Sequence, residues 1–349
     1  MNNEETSHKR RVRYKGNYPK NFKEKYKELE PDKYVDTIVK VIEKGITPAG
    51  MHIPICVEEI LNILKIMPKE IGLDATLGYG GHSYEMLKCL KGQGHLYALD
   101  IDPIEIEKTK ERLNNLGYND NIFTPIHLNF ANIDKIIPQT GKFDFILADL
   151  GVSSMQIDNP ERGFSYKNDG PLDLRLNPNE GISASDRLKD ISLDELEGML
   201  IENADEPYAE VISKAIISYI NKNGLITTTS QLRNIIEKSL DFINTKEKKE
   251  EIKKSCQRTF QALRIDINNE FEVLYEFLEK LPKVLKENGR VAILTFHSGE
   301  DRLVKKSFKQ LYKDGTYKEI SNEIIRPSIE EYNKNPRSHS AKLRWAIKK

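Results

Sequence analysis

The chain has 349 residues, 38% apolar and 31% charged, with 54 lysines and arginines balancing 54 aspartates and glutamates. That length suits one large domain or two ordinary ones, and the composition excludes collagen-like and mostly disordered chains. Cys56, Cys89 and Cys256 are odd in number and far apart, so they encode neither a disulfide framework nor a cysteine zinc site.

No apolar run approaches the roughly 18 residues of a membrane span, and the basic N-terminus has no apolar core behind its charges, as a secretory signal would. The expectation is a cytoplasmic protein without a membrane partner. Charge is balanced overall but uneven along the chain. Lys9 to Lys27 holds nine basic residues against the single acid Glu24, and the last thirteen residues carry Arg337, Lys342, Arg344, Lys348 and Lys349 with no acid. Two basic ends on a neutral body suit phosphate contacts; solvated termini are the plain alternative.

In chain order, residues 1–30 read as an arm. Asp32 can then N-cap a helix that shows Val35, Ile38, Val39 and Ile42 on one face and ends at Gly45. A second helix runs near Val57, Ile60, Leu61 and Leu64. Strands over 71–75, 95–100, 122–127 and 143–150 then alternate with helices over 82–90, 103–116 and 131–137, which implies a parallel sheet covered on both faces. Residues 151–182 read as a loop rich in Gly, Pro, Asp and Asn, and 185–257 as helix after helix, with a capping box at Ser192 and Glu195 and an apolar stripe of Leu232, Ile235, Ile236 and Leu240. A long helical pattern over 259–285, broken near Asn268, leads to a buried-type strand at Val291 to Phe296. The fold class is therefore α/β with an inserted all-helical domain: an extension over 1–50, a sheet domain over 51–156 and 258–349, and an insert over 157–257.

Three strand ends carry chemistry. The segment Asp74-Ala75-Thr76-Leu77-Gly78-Tyr79-Gly80-Gly81-His82 is a strand running into glycines that open a helix, where backbone approaches a ligand closely and free N–H groups meet polar atoms. It departs from the dinucleotide pattern G-x-G-x-x-G, whose third glycine would fall at Ser83, and an ordinary tight turn is the alternative. The next strand ends at Asp100, about twenty residues on, where an acid can accept both hydroxyls of a ribose. The pair favours an adenosine-containing cofactor. The fourth strand ends at Asp149, on the same carboxyl edge of the sheet, where a carboxylate can accept from an amine or merely cap a loop.

Longer motifs follow in order: Ala75 to Ser83, Asp149 to Ser154, Glu161-Arg162-Gly163-Phe164-Ser165, Asp169 to Arg175, Arg258-Thr259-Phe260-Gln261-Ala262-Leu263-Arg264-Ile265, Thr295-Phe296-His297-Ser298, Asn335-Pro336-Arg337-Ser338 and Ser340 to Arg344. Together they resemble the MraW/RsmH ribosomal RNA methyltransferases over residues 51 to 346. The resemblance implies a Rossmann-like S-adenosylmethionine-dependent methyltransferase sheet that methylates the exocyclic N4 of a cytosine in the decoding centre of 16S rRNA. The partner it implies is 16S rRNA in the small ribosomal subunit; a homodimer is left open. By position, the implied cofactor contacts are Gly80, Gly81, His82, Asp100, Phe130, Asp149 and Gln156, with Phe130 against the adenine. On the chemistry of the residues, Asp149 is either the acceptor at the amine or a contact to the cofactor's methionine part. Without the resemblance, Phe130 would read as core.

The chain departs from the family's usual pattern in places. Gly299 replaces a leucine after the last motif strand, which predicts a more flexible loop; Ala204-Asp205-Glu206 replaces Gly-Glu-Glu; and about fifty residues precede His52. Methyl transfer from a sulfonium needs placement and electrostatics rather than a metal or a covalent intermediate. No cysteine follows a proline, which disfavours attack at cytosine C5. Two other classes remain open on the residues alone, a nucleotide-dependent oxidoreductase and a non-catalytic rRNA-binding assembly factor. Arg258 and Arg264 are expected either to shape the RNA side of the crevice or to pair with nearby acids.

Overall fold

The computed structural model describes residues 54–244 and 246–349. The arm, the helix expected after Asp32 and the basic run Lys9 to Lys27 lie outside the described residues. Helix α1 (Val57–Leu64) turns Ile60 and Leu64 inward and leads to β1 (Ile71–Asp74). There follow α2 (Gly81–Leu90), β2 (His95–Asp100), α3 (Pro103–Asn115), β3 (Phe123–His127), a 3-10 turn (Phe130–Ile136), the short α4 (Ile137–Thr140) and β4 (Phe143–Asp149). These strands are nearly continuous apolar runs because helices cover both faces of the sheet.

After β4 come α5 (Ser154–Asp158) and a 3-10 turn (Pro160–Arg162), and then a helical region: α6 (Ala184–Asp190), α7 (Leu193–Ala204), α8 (Ala209–Asn223), α9 (Thr229–Ser239) and α10 (Lys248–Asn268). Asn269, in the left-handed region at φ 48°, ends α10 and starts α11 (Glu270–Val284). The chain returns to the sheet in β5 (Leu285–Thr295) and closes with α12 (Ser298–Lys313), β6 (Tyr317–Ile320), α13 (Ile329–Lys334) and β7 (Lys342–Lys348). The seven strands lie in the order β3-β2-β1-β4-β5-β7-β6, parallel from β3 through β5, with β7 antiparallel to both β5 and β6.

Three apolar clusters organise this unit. One covers a sheet face under α11 and α12, a second covers the other under α1, α2 and α3, and a third fills the helical region from Phe164 to Leu263. The boundary expected at 257/258 falls inside α10, whose Cys256, Phe260 and Leu263 all belong to the helical cluster, so the packing changes near Asn269 instead. The start of α10 was hidden because Lys248 to Lys254 is a charged stretch held by local pairs such as Lys253–Glu250 (3.0 Å) rather than by an apolar stripe.

Other local expectations need correction. Strand β5 begins six residues early and shifts register against β4 between Phe143 and Phe145; the polar stretch at Glu287 and Asn288 forms this irregularity. At Ser192 only half of a capping box forms: the hydroxyl accepts the Glu195 N–H, while the Glu195 carboxylate pairs with Arg187. Complete boxes stand at Ser153/Gln156 and Thr228/Gln231. The long loop packs Leu172 and Leu174 into the helical cluster and bridges Pro171 to Thr228.

Gly299 lies in the first turn of α12, not in a flexible loop. A Cβ there would come within 2.5 Å of the Phe271 ring, so Phe271 fills the space a larger side chain would need.

The C-terminal segment forms a strand, and four of its five basic residues are already engaged within the protein, Lys349 being exposed. Arg344 is buried against Asp301 (2.6 Å), Lys342 lies 3.5 Å from the same carboxylate, Lys348 donates to the carbonyls of Pro282 and Leu285, and Arg337 pairs with Asp158 (2.6 Å). Cys56, Cys89 and Cys256 are free thiols. Burial pushes the Cys256 thiol up to about 12 and raises Cys56 and Cys89 as well, which removes all three as thiolates near neutrality. Among the described residues no helix is long and apolar enough to cross a membrane.

Candidate functional site

The glycine turn sits at the carboxyl edge of β1. Gly80 has φ 75° and precedes the first residue of α2, a conformation that costs an L-residue about 1–2 kcal/mol. A Cβ at Gly80 would point not into the crevice but at Thr109 Cγ2 of α3, 2.6 Å away, and one at Gly81 would meet the Pro54 ring at 2.5 Å. Glycine is therefore demanded here by packing on both sides of the turn. Tyr79, between the glycines, is buried beneath the Arg112 guanidinium, 3.4 Å from its ring centroid. Ser83, where a dinucleotide site would have its third glycine, is buried and donates its hydroxyl to Asp74 (2.6 Å), which ties α2 to β1. Burial raises the Asp74 carboxyl above the ordinary range, against the Ser83 bond.

Asp100 ends β2 and clamps this turn. Its two oxygens accept the N–H groups of Gly78 (2.6 Å) and Asp102 (2.8 Å), leaving further lone pairs on each for hydroxyl donors. Burial nevertheless pushes its pKa to about 6, outweighing the two amides. Asp102 behind it is fully buried and held by Arg162 (2.6 Å), the Gln156 amide (3.1 Å) and the N–H of Ile104 (3.0 Å). Arg162 also donates to the carbonyls of Arg175 and Leu176, so it fastens the loop after β4 to the end of β2.

Gln156 thus stands next to the site as a brace. Its side-chain carbonyl accepts the Ser153 N–H (2.9 Å) in the capping box and its amide N–H donates to Asp102. Phe130 opens the 3-10 turn after β3, with Asn129 as its N-cap, and meets Phe277 edge-on with ring centroids 5.0 Å apart. It is only partly buried, so one side packs on the core while the other is accessible.

Asp149 ends β4 beside these groups. Its N–H donates to Thr76 Oγ1 (2.7 Å), its Oδ2 lies 3.5 Å from His82 Nε2, and its Oδ1 is buried without a hydrogen-bond partner among the described residues. Burial pulls the His82 pKa down, but Asp149, with Asp74 and Glu331, outweighs it and the net shift is upward. The sheet therefore brings Gly80, Gly81, His82, Asp100 and Asp149 to one edge, with Phe130 and Gln156 at its margins. An unsatisfied buried acceptor, an acid with lone pairs open to hydroxyls and a helix N-terminus form a donor and acceptor set that fits a nucleoside bearing a charged amino-acid tail.

Sequence reasoning missed three groups. Asp102 and Arg162 are partners across sixty positions, and Glu331 accepts the Cys56 N–H (3.0 Å) from a segment 275 residues away. Only the presence of Arg162 in a quoted motif could have flagged any of them. Of the two arginines expected near RNA, Arg264 is half-buried and held in a bidentate pair with Glu270 (2.8 and 2.9 Å), whereas Arg258 is partly exposed and lies 4.0 Å from the buried Glu206. Arg264 is thus removed from the candidate RNA surface.

Comparison with known proteins fits this geometry. Ribosomal RNA small subunit methyltransferase H 1 of Lachnoclostridium phytofermentans is 68% identical over 346 residues, covering 99% of this chain and 94% of that protein. Ribosomal RNA small subunit methyltransferase H 2 of Alkaliphilus metalliredigens is 66% identical and covers 100% of each. The methyltransferase H of Buchnera aphidicola (strain Tuc7) is 43% identical over 84% of this chain and 97% of its own. The family model of the MraW methylases matches residues 49–349, and the chain belongs to the MraW methylase family.

Proposed function

We propose that the protein transfers a methyl group from S-adenosylmethionine to the exocyclic N4 of a cytosine in the decoding centre of small-subunit (16S) rRNA. The observation that carries this reading is the buried Oδ1 of Asp149 at the carboxyl end of β4, which has no hydrogen-bond partner among the described residues and lies on the same edge as the glycine turn and Asp100. An acceptor so placed is costly to bury unless a donor arrives with the ligand.

Bound cofactor supplies an electrophilic methyl group on a good leaving group. The chain's residues do the rest. The turn at Gly80 and Gly81 seats the cofactor by its backbone, Asp100 accepts the ribose hydroxyls, and the accessible side of Phe130 borders the adenine. Asp149 accepts an N–H of the cytosine amine, which orients that nitrogen and opposes delocalisation of its lone pair into the ring. His82 Nε2 lies 3.5 Å from the Asp149 carboxylate, beside the position where the amine is received. Arg162 and Gln156 act through Asp102, which orients Asp100 by its backbone N–H.

The test is mass-spectrometric mapping of small-subunit rRNA from cells with and without the gene, with purified protein, S-adenosylmethionine and subunits as the reconstituted arm. Gain of N4-methylcytidine supports the proposal. Binding to subunits without methyl transfer would favour the assembly-factor reading instead.

A further inference from the structure

Strand β5 runs beside β4 in register, Asp149 opposite Leu294, and the Leu150 N–H donates to the Leu294 carbonyl at 2.9 Å. The two strands therefore end together, and the residues just past each end face one another. On the β4 side this is Gly151, exposed, with φ 97°; on the β5 side it is Phe296. A Cβ built on Gly151 would find the Phe296 ring at 3.8 Å and nothing else within 4 Å. One side of the ring is embedded in the apolar cluster under α1, α2 and α3, and the ring as a whole is only half-buried. Its backbone is fixed: the Phe296 N–H donates to Glu300 Oε2 at 2.9 Å, and Glu300 is itself buried and paired with His297 at 3.2 Å.

A rigid aromatic ring beside a side-chain-free residue, two positions from an acceptor that lacks a donor, has the geometry of a slot for a flat heterocycle. A base taken out of its helix needs a π-face to replace the stacking it loses. We propose that Phe296 is the platform on which the target base stacks, with Gly151 leaving the room for it and Asp149 meeting its amine. This rests on the base-methylation reading above, and it adds a substrate-binding residue that phosphate contacts could not replace. Stacking on an aromatic ring is sequence-tolerant, so Phe296 holds the base while Asp149 selects for the amine.

The test compares Phe296→Leu with Phe296→Tyr, using small ribosomal subunits as substrate and S-adenosylhomocysteine as the probe of the cofactor site. Phe296→Leu should lower kcat/KM by about tenfold to a hundredfold, the range expected for one lost base–aromatic stack, while S-adenosylhomocysteine binds as in the parent. Phe296→Tyr, which keeps the ring, should restore most of that loss. If the leucine variant does not fold, Phe296→Met fills similar volume without a ring and gives the same comparison. Undiminished kcat/KM in the leucine or methionine variant would overturn the proposal, as would a tyrosine variant no better than either, or a parallel loss of S-adenosylhomocysteine affinity. Identification of the methylated nucleoside is read separately. A product other than N4-methylcytidine would defeat the role given to Asp149 while leaving the stacking result standing.

Discussion

The role proposed for Asp100 has a pH signature whose size follows from its surroundings. An ordinary aspartate titrates near 3.9, whereas burial lifts Asp100 to about 6 in spite of the Gly78 and Asp102 amides. Ribose hydroxyls donate to the ionised carboxylate, so the protonated fraction of the protein does not bind well. Apparent affinity then scales with the ionised fraction, about nine-tenths at pH 7 and about one-tenth at pH 5 for a pKa of about 6. The dissociation constant of S-adenosylhomocysteine should therefore rise about tenfold between those values, near 1.4 kcal/mol, with release of close to one proton on binding at the lower pH.

Against the pull of burial, Asp149 shifts His82 upward, the ligand's own amino and carboxyl groups titrate outside this interval, and the Asp100→Asn variant separates the Asp100 contribution from that of its titratable neighbours. Calorimetry in buffers of different ionisation enthalpy reads both quantities, and Asp100→Asn should bind more weakly with a flat profile. A parent protein whose affinity does not change from about pH 5 to about pH 7 would refute the argument. An asparagine variant that keeps the parent's slope would do the same, because some other group would then be titrating.

Further outcomes can be stated. Gly80→Ala should destabilise the fold by about 2–4 kcal/mol through left-handed strain and crowding of Thr109; a urea midpoint equal to the parent's, with only cofactor binding lost, would mean that the new methyl group faces the ligand. Arg264→Gln leaves Glu270 and the buried Glu300 short of a cation and should cost about 3–5 kcal/mol in the same denaturation assay; an unchanged midpoint would return Arg264 to the RNA surface. Asp149→Asn should keep S-adenosylhomocysteine affinity within a small factor and lose methyl transfer, and full activity would exclude the acceptor role. Deleting residues 1–30 should leave cofactor affinity alone and flatten the salt dependence of subunit binding by roughly 0.7–0.9 per phosphate contact removed; an identical slope would make the arm a bystander.

The parts of this structure that could be read beforehand are those with a local cause. Strands β1 to β4 announce themselves as short apolar runs between turn residues, and Asp100 and Asp149 are conspicuous because each ends such a run. The site's supporting groups have no local cause. Arg162 and Asp102 become partners only when the loop after β4 folds back on β2, and Arg344 meets Asp301 only once β7 has paired with β5. The same holds for the basic tail, whose charges suggest phosphate binding until the acids that neutralise them arrive from other elements. Gly299 shows the converse error, since a glycine judged alone signals freedom, whereas here its missing side chain is occupied space.

The pairing of Arg162 with Asp102 also bears on how far this protein can be dissected. Asp102 belongs to the first half of the sheet, but the cation that pairs with it, Arg162, comes from beyond β4, on the way into the helical region. A minimal domain made by excising everything from the end of β4 through the helical region, Arg162 included, and rejoining the sheet would strand the Asp102 carboxylate with 0% exposure, and the backbone N–H of the same residue donates to Asp100. Such a trimmed protein is expected to lose the ribose contact proposed for Asp100 before it loses its sheet. The start of the helical region is thus tied by charge to the carboxyl edge of β2.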